Sequence, residues 1–232
     1  MALTGKKEED LLLPQRAIFT FHKGFMERLR TTFKGRLIDA WRPLRRVYEL
    51  NWAGSVVTLC PIGGPNVGIL VEEFSAFGVR EFILIGLCGG LRDVEIGDIV
   101  LATGAIREEG LSYHYLKDAQ TVVYSEWAEE WSGPLAQYRI KEGLVLTTDA
   151  LYRETKGKTE AYRREGAIAV DMETASFYAV CRFRGLKGLA LLAVSDVLKE
   201  EAWVPGLFSS HLQKALERLR DPILLHLLRG VP

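Results

Sequence analysis

The residues best equipped for chemistry fall in one stretch, Ala167 to Lys199, which holds the carboxylates Asp171, Glu173 and Asp196. Asp171 and Glu173 flank Met172 directly after the apolar run Ala167–Val170, and Ser195-Asp196 ends a second apolar run, Gly188–Val194. A carboxylate accepts hydrogen bonds from sugar hydroxyls, and one whose pKa is lifted by desolvation can hold a proton for a leaving group. Spacing alone leaves a plainer alternative open, with Glu173 a first-turn carboxylate favoured by the helix dipole and Asp196 an ordinary cap.

Both apolar runs are long enough for buried strands. Between them Ala175, Ser176, Ala179, Val180 and Phe183 share one face of a 3.6-residue period, which Gly185 closes as a C-cap glycine. The pattern predicts a parallel strand–helix–strand crossover with carboxylates at two strand ends, where ligand sites of open α/β sheets gather. Upstream, Ala17–Phe21 reads as a first strand and His22-Lys23-Gly24 as a turn into a helix over Phe25–Phe33. Such a turn presents free N–H groups and a positive dipole end to an anion. Val47–Leu50 and Ser55–Leu59 read as a hairpin, and Ile62-Gly63-Gly64-Pro65-Asn66 leads into a helix with Val67, Leu70, Val71, Phe74 and Phe77 on one face. Glu81–Ile85 is predicted as a strand, followed by a glycine-rich loop over Gly86–Leu91 that fits neither GxGxxG nor a P-loop.

Further strands are predicted at Asp98–Ala102 and Gly143–Thr147, with residues 117–142 as surface helix and interface. Residues 1–13 read as a flexible or interface arm and Ala202–Gly206 as a lid. Phe208–Leu219 reads as a helix, and Ile223–Leu228 as a short last helix restarted by Asp221-Pro222.

At 232 residues, 48% of them apolar, the chain suits one domain spanning 1–232 with a sizeable core. A formal net charge of zero and the lack of a basic stripe give no reason to expect nucleic acid. No apolar run approaches the ~18 residues of a membrane span, and the first residues lack the apolar core of a signal peptide. Cys60, Cys88 and Cys181 are scattered in apolar contexts and read as reduced, and the four histidines have no metal-type spacing. A cytoplasmic protein with no metal site and no membrane partner is expected.

The phrase AVDMETASFYAVC over residues 169–181, followed by Ser195-Asp196, resembles the nucleoside phosphorylase family, which includes purine nucleoside and uridine phosphorylases and the related methylthioadenosine/S-adenosylhomocysteine nucleosidases. The resemblance runs from about Ala17 to the C-terminus and is strongest here and over residues 60–104. It implies an α/β fold, a single-domain three-layer α/β/α arrangement around a central mixed, twisted sheet. It also implies a homo-oligomer, a dimer or a hexamer built as a trimer of dimers, with sites shared across an interface.

The resemblance assigns roles residue by residue. Asp196 would give or share a proton with purine N7, and Glu173 would accept hydrogen bonds from the ribose 2′- and 3′-hydroxyls. Met172 would pack on the ribose and Gly64 would lie beside it. Asp171, shorter than the family's usual glutamate, would be structural. Leu151, in place of the family's stacking phenylalanine, would line the base with Tyr152, Ser195 and Gly89. His114 is a site-lining candidate within Arg107–His114, a segment resembling one in uridine phosphorylases. Phosphate, the co-substrate, would meet His22, Lys23, Gly86 and Leu87, with Arg42 reaching in from a neighbouring subunit; no other cofactor is implied.

Departures cluster on the phosphate side. The family's Gly-Asp-Pro-x-Arg turn is absent, with Phe25 where its arginine stands. Leu84 replaces a second arginine and Leu87 a serine or threonine. The expected function is therefore phosphorolysis of a nucleoside, favouring purines, to free base and ribose 1-phosphate, at an atypical phosphate site. The alternatives are a nucleosidase using water, although its activating glutamate is also missing from the first turn, and a nucleoside-binding protein without catalysis.

Overall fold

The computed structural model describes residues 7–51, 54–118, 120–199 and 202–229. In chain order its elements are β1 (Arg16–Thr20), α1 (Lys23–Thr32), β2 (Arg36–Leu37), β3 (Val47–Leu50), β4 (Ser55–Leu59), α2 (Gly64–Ala76), β5 (Glu81–Gly90) and β6 (Ile99–Glu108). There follow α3 (Ser112–Tyr115), β7 (Val122–Tyr124), α4 (Glu126–Leu135), β8 (Lys141–Thr148), α5 (Lys156–Arg164), β9 (Ala167–Asp171), α6 (Thr174–Arg184), β10 (Lys187–Leu198), β11 (Trp203–Pro205), α7 (Ser210–Arg218) and α8 (Leu224–Arg229).

The central strands are apolar at successive positions because both faces of the sheet are covered. In β5, Phe82 and Leu84 join one core while Ile83 and Ile85 join the other; in β10, Ala190, Leu192 and Val194 alternate in the same way with Leu189, Leu191 and Ala193. The first core is closed by α2, through Val67, Leu70, Val71 and Phe74, and by α6. The second is closed by α1, α4, α7 and α8. A mixed, twisted sheet with helices on both sides is thus the architecture. The middle of the sheet also closes on itself, since β5 pairs with both β9 and β10, and β10, β6, β8 and β9 follow one another in the order of pairing.

Two expectations are corrected, the first by that closure. Gly86–Gly90 is no loop but the second half of β5, paired in parallel with β10 as far as Val197↔Gly90 and antiparallel with β9 at Gly89↔Val170. The glycines serve close strand approach: a Cβ on Gly89 would meet Leu198 Cδ1 of β10 at 3.0 Å and Val170 Cγ1 of β9 at 3.1 Å. Within residues 117–142, Trp127 and Trp131 are buried against the sheet, because Ser125 caps α4 and Trp127, Trp131 and Leu135 fall four apart on one face.

The edges are tied down as well. Residues 1–6 lie outside the described residues, but Leu11 and Leu13 are buried, and the Trp41 indole donates to the Leu11 carbonyl at 2.9 Å. The segment expected as a lid supplies β11, which pairs antiparallel with the end of β10. Among the described residues no helix is long and apolar enough to cross a membrane.

Candidate active site

Strand ends from β1, β5, β9 and β10 converge on a cavity of about 260 Å³. Its lining runs from Thr20, Phe21 and His22 after β1, past Ile62 and Gly86–Gly89, to Asp171, Met172, Glu173, Ser195 and Asp196, with Leu151 and Leu216 closing it.

Glu173 is the N-cap residue of α6 and is buried, with Oε1 accepting the Gly63 N–H at 2.6 Å. Gly63 is at φ +106°, a conformation glycine adopts freely, and this turn aims its N–H at the carboxylate. Burial, and then the neighbouring Asp171 charge, push Glu173 up from the ordinary carboxyl range to about 8. Asp171 is fully engaged by protein. Thr147 Oγ1 donates to its Oδ1 at 2.7 Å, and the backbone N–H and hydroxyl of Thr174 donate to its Oδ2. Those donors pull its pKa down against the larger upward push of burial. Asp171 therefore braces the β8–β9–α6 junction, and Glu173 keeps acceptor capacity free for a ligand.

Across the cavity, Ser195 is the extra residue of a β-bulge, since β10 pairs Val194↔Cys88 and then Asp196↔Gly89. A bulge re-aims the side chains that follow it. Here it brings Asp196 beside Gly89, where a Cβ would lie 3.2 Å from Asp196 Oδ2. Ser195 Oγ donates to Asp196 Oδ1 at 2.6 Å and the Trp203 indole donates to Oδ2 at 2.8 Å. At the opposite end, His22 caps α1, its Nδ1 accepting the Phe25 N–H at 3.0 Å. With Nδ1 an acceptor, the neutral ring carries its proton on Nε2.

The cavity thus brings together a buried carboxyl group with acceptor capacity, a second carboxylate across an apolar space, and the start of α1 at the far end. The family model described as the phosphorylase superfamily matches residues 26–228. The chain belongs to the phosphorylase superfamily. Curated relatives within this superfamily include a guanosine phosphorylase of Halorubrum lacusprofundi, 32% identical over 163 residues that span 66% of this chain and 66% of the relative. A DeoD-type purine nucleoside phosphorylase of Caldanaerobacter subterraneus subsp. tengcongensis is 33% identical over 143 residues, 59% of this chain and 62% of the relative. These matches thus span less than two thirds of the relatives' length. The crystal structure of purine nucleoside phosphorylase from Toxoplasma gondii, in complex with immucillin-H, superposes with a TM-score of 0.82 at 20% identity, covering 100% of this chain and 98% of that one. It shares the fold.

Within this superfamily member the residues singled out from sequence divide into two sets. Asp196, Glu173, Met172, Leu151, Ser195, Gly89, His22, Gly86 and Leu87 all line the cavity. Gly64, Tyr152, Lys23, Arg42 and His114 do not. Gly64 opens α2 and faces α6, where a Cβ would fall 2.3 Å from Ser176 Oγ. Tyr152 is 97% exposed on the 3-10 turn after β8, pointing away from its neighbour Leu151. Lys23 and Arg42 are exposed, so among the described residues no arginine or lysine of this chain lines the cavity. His114 is exposed because its segment folds around buried Arg107, which donates to Ser112 Oγ, Asp118 and the Leu116 and Gln120 carbonyls. Leu84 and Phe25, where the family has arginines, are buried in the two cores.

Sequence reasoning missed Thr20, Cys88, Ile62 and Leu216 of the lining, and Trp203 and Glu154 of the recess beside it, from which the Trp203 indole reaches Asp196. Thr20 had a signal, a hydroxyl at the end of the first strand. Glu154 follows the turn that carries Leu151. Its Oε1 is buried without a protein partner, and burial, then the Asp196 charge, push it up to about 7.

Proposed function

We propose that this chain is a purine nucleoside phosphorylase, transferring a ribosyl group from base to phosphate to give free base and ribose 1-phosphate. The observation that carries the reading is the pairing of two differently held carboxylates across one apolar cavity: Glu173 with acceptor capacity facing in, and Asp196 on a bulge opposite. The similarity to relatives named guanosine phosphorylase and purine nucleoside phosphorylase supports it.

In the proposed reaction Glu173 accepts the 2′- and 3′-hydroxyls and Met172 packs on the ribose. A charge-assisted hydrogen bond contributes about 1.5–3 kcal/mol, offset in part by removal of the proton that burial holds on Glu173 below about pH 8. As the C1′–N9 bond lengthens, positive charge grows on the sugar and its electron pair passes into the purine. N7 then takes a proton held by Asp196, and a phosphate oxygen bonds to C1′. Leu151 supplies apolar contact to the base. His22, Thr20 and the first amides of α1 form the phosphate end, and a cation such as Arg42 enters from a second copy of the chain in a homo-oligomer. The protein works in the cytoplasm, with phosphate as co-substrate and no further cofactor.

Asp196→Asn tests the assignment. The amide cannot release a proton, so kcat for inosine should fall on the order of 100-fold or more while KM changes only a few-fold. Unchanged kcat would remove Asp196 as the acid.

A further inference from the structure

Trp203 is 64% exposed, yet its one polar atom is committed to the cavity, the indole N–H donating to Asp196 Oδ2 at 2.8 Å. Register explains the reach. β11 pairs Leu198↔Trp203 and Asp196↔Pro205, so Trp203 stands diagonally across from Asp196 on the same face of the sheet. The strand is fixed at both ends: Lys199 N–H donates to the Ala202 carbonyl at 2.9 Å, and a Cβ on Gly206 would meet Ile96 Cδ1 at 2.6 Å and the Ser195 carbonyl at 2.7 Å.

We propose that Trp203 is a positioning residue that controls where the proton of Asp196 resides, its indole N–H competing with the purine for Oδ2. The inference rests on the purine phosphorylase reading above. Both oxygens of Asp196 accept a hydrogen bond, from Ser195 and from Trp203. Two donors stabilise the carboxylate over the acid, because an acid must give up acceptor capacity on the oxygen it protonates. The charged and titratable groups around the pair come from several elements: Lys156 and Arg163 of α5 and Lys199 after β10 border Trp203, with Arg163 donating to the Leu91 and Leu198 carbonyls. Glu154 stands on the turn after β8, Cys88 on β5 behind, and Asp171 and Glu173 across the cavity. Lys158 of α5 is paired with Glu108. The two donors are the groups that hydrogen-bond the Asp196 oxygens directly. Withdrawing the indole frees Oδ2 and makes the acid easier to form, which is the state that N7 requires.

A comparison of two substrates isolates this effect. Inosine needs a proton at N7 to leave; 7-methylinosine departs as a neutral base without one. The ratio of their kcat/KM values therefore reports on the Asp196 proton and cancels changes in sugar or phosphate binding. Trp203→Phe keeps the ring and removes the donor, at an exposed position where folding is safe. The inosine to 7-methylinosine ratio at pH 8 should rise about tenfold, the worth of one charge-assisted hydrogen bond. The alkaline side of that ratio's pH profile should also move up by about one unit. A ratio and profile that superpose on those of the unaltered protein, or a loss shared equally by both substrates, would overturn the inference and leave the phosphorylase reading standing. If the unaltered protein turns over neither nucleoside, both fall together.

Discussion

At the scale of single residues, the account turns on two carboxylates with different surroundings. Glu173 is buried beside Asp171, and its folded pKa of about 8 stands above the ordinary value near 4.5. The sign of the linkage follows. The folded chain keeps a proton that the unfolded chain releases, so stability is greatest below pH 4.5 on this count and falls as pH climbs through 8. Glu173→Gln removes the titration. Urea unfolding between pH 5 and 9 should show the unaltered protein losing on the order of 4 kcal/mol that the variant retains. The variant should be inactive, since an amide grips the diol poorly. Parallel pH profiles for the two proteins would show that Glu173 is ionised at no cost in the fold, against the account.

Residue-scale legibility was uneven for physical reasons. Glu173 and Asp196 were readable because each follows an apolar run that ends at a strand terminus. Trp203 was not, because its bond to Asp196 depends on the antiparallel return of β11, a register that no local pattern encodes. Tyr152 differs from Leu151 by one position on a 3-10 turn, enough to point one side chain out and the other in.

At the scale of elements, the site depends on how closely α2 and α6 approach. Gly64 faces Ser176, whose hydroxyl donates to buried Glu109 at 2.6 Å, and Glu109 in turn accepts the Ser112 N–H. Gly64→Ala should drive the helices apart, costing about 1–3 kcal/mol and disturbing the Gly63–Glu173 contact next door. Adding Ser176→Ala removes the clashing hydroxyl and should restore part of the loss, read as a positive coupling in a double-mutant cycle of thermal unfolding. Additive losses would mean the two helices do not meet through this pair. The glycines also mark the limit of reading elements from sequence. Gly63 and Gly64 are adjacent and identical in type, and only the positive φ of the first separates the ligand-side turn from the helix contact. Gly86–Gly90 looked like a loop because glycine is a turn residue; it is strand because sheet closure brings β9 and β10 too close for side chains.

At the scale of the whole molecule, the strand–helix–strand crossover was legible from the apolar runs and the superfamily fold with its layers from the resemblance carried by residues 169–181 and Ser195-Asp196, while the completeness of the site was not. No arginine or lysine among the described residues lines the cavity, and the end beside α1, which the proposed reaction gives to phosphate, is lined by Thr20 and His22. A second copy of the chain is the account's source of positive charge there. The measurement that tests the central claim most directly is the release of free base from guanosine, inosine, adenosine, uridine and methylthioadenosine, each with and without inorganic phosphate. The account predicts strict phosphate dependence, ribose 1-phosphate as co-product, and guanosine and inosine turned over fastest. Base release that proceeds equally well without phosphate would contradict it and make the protein a hydrolase.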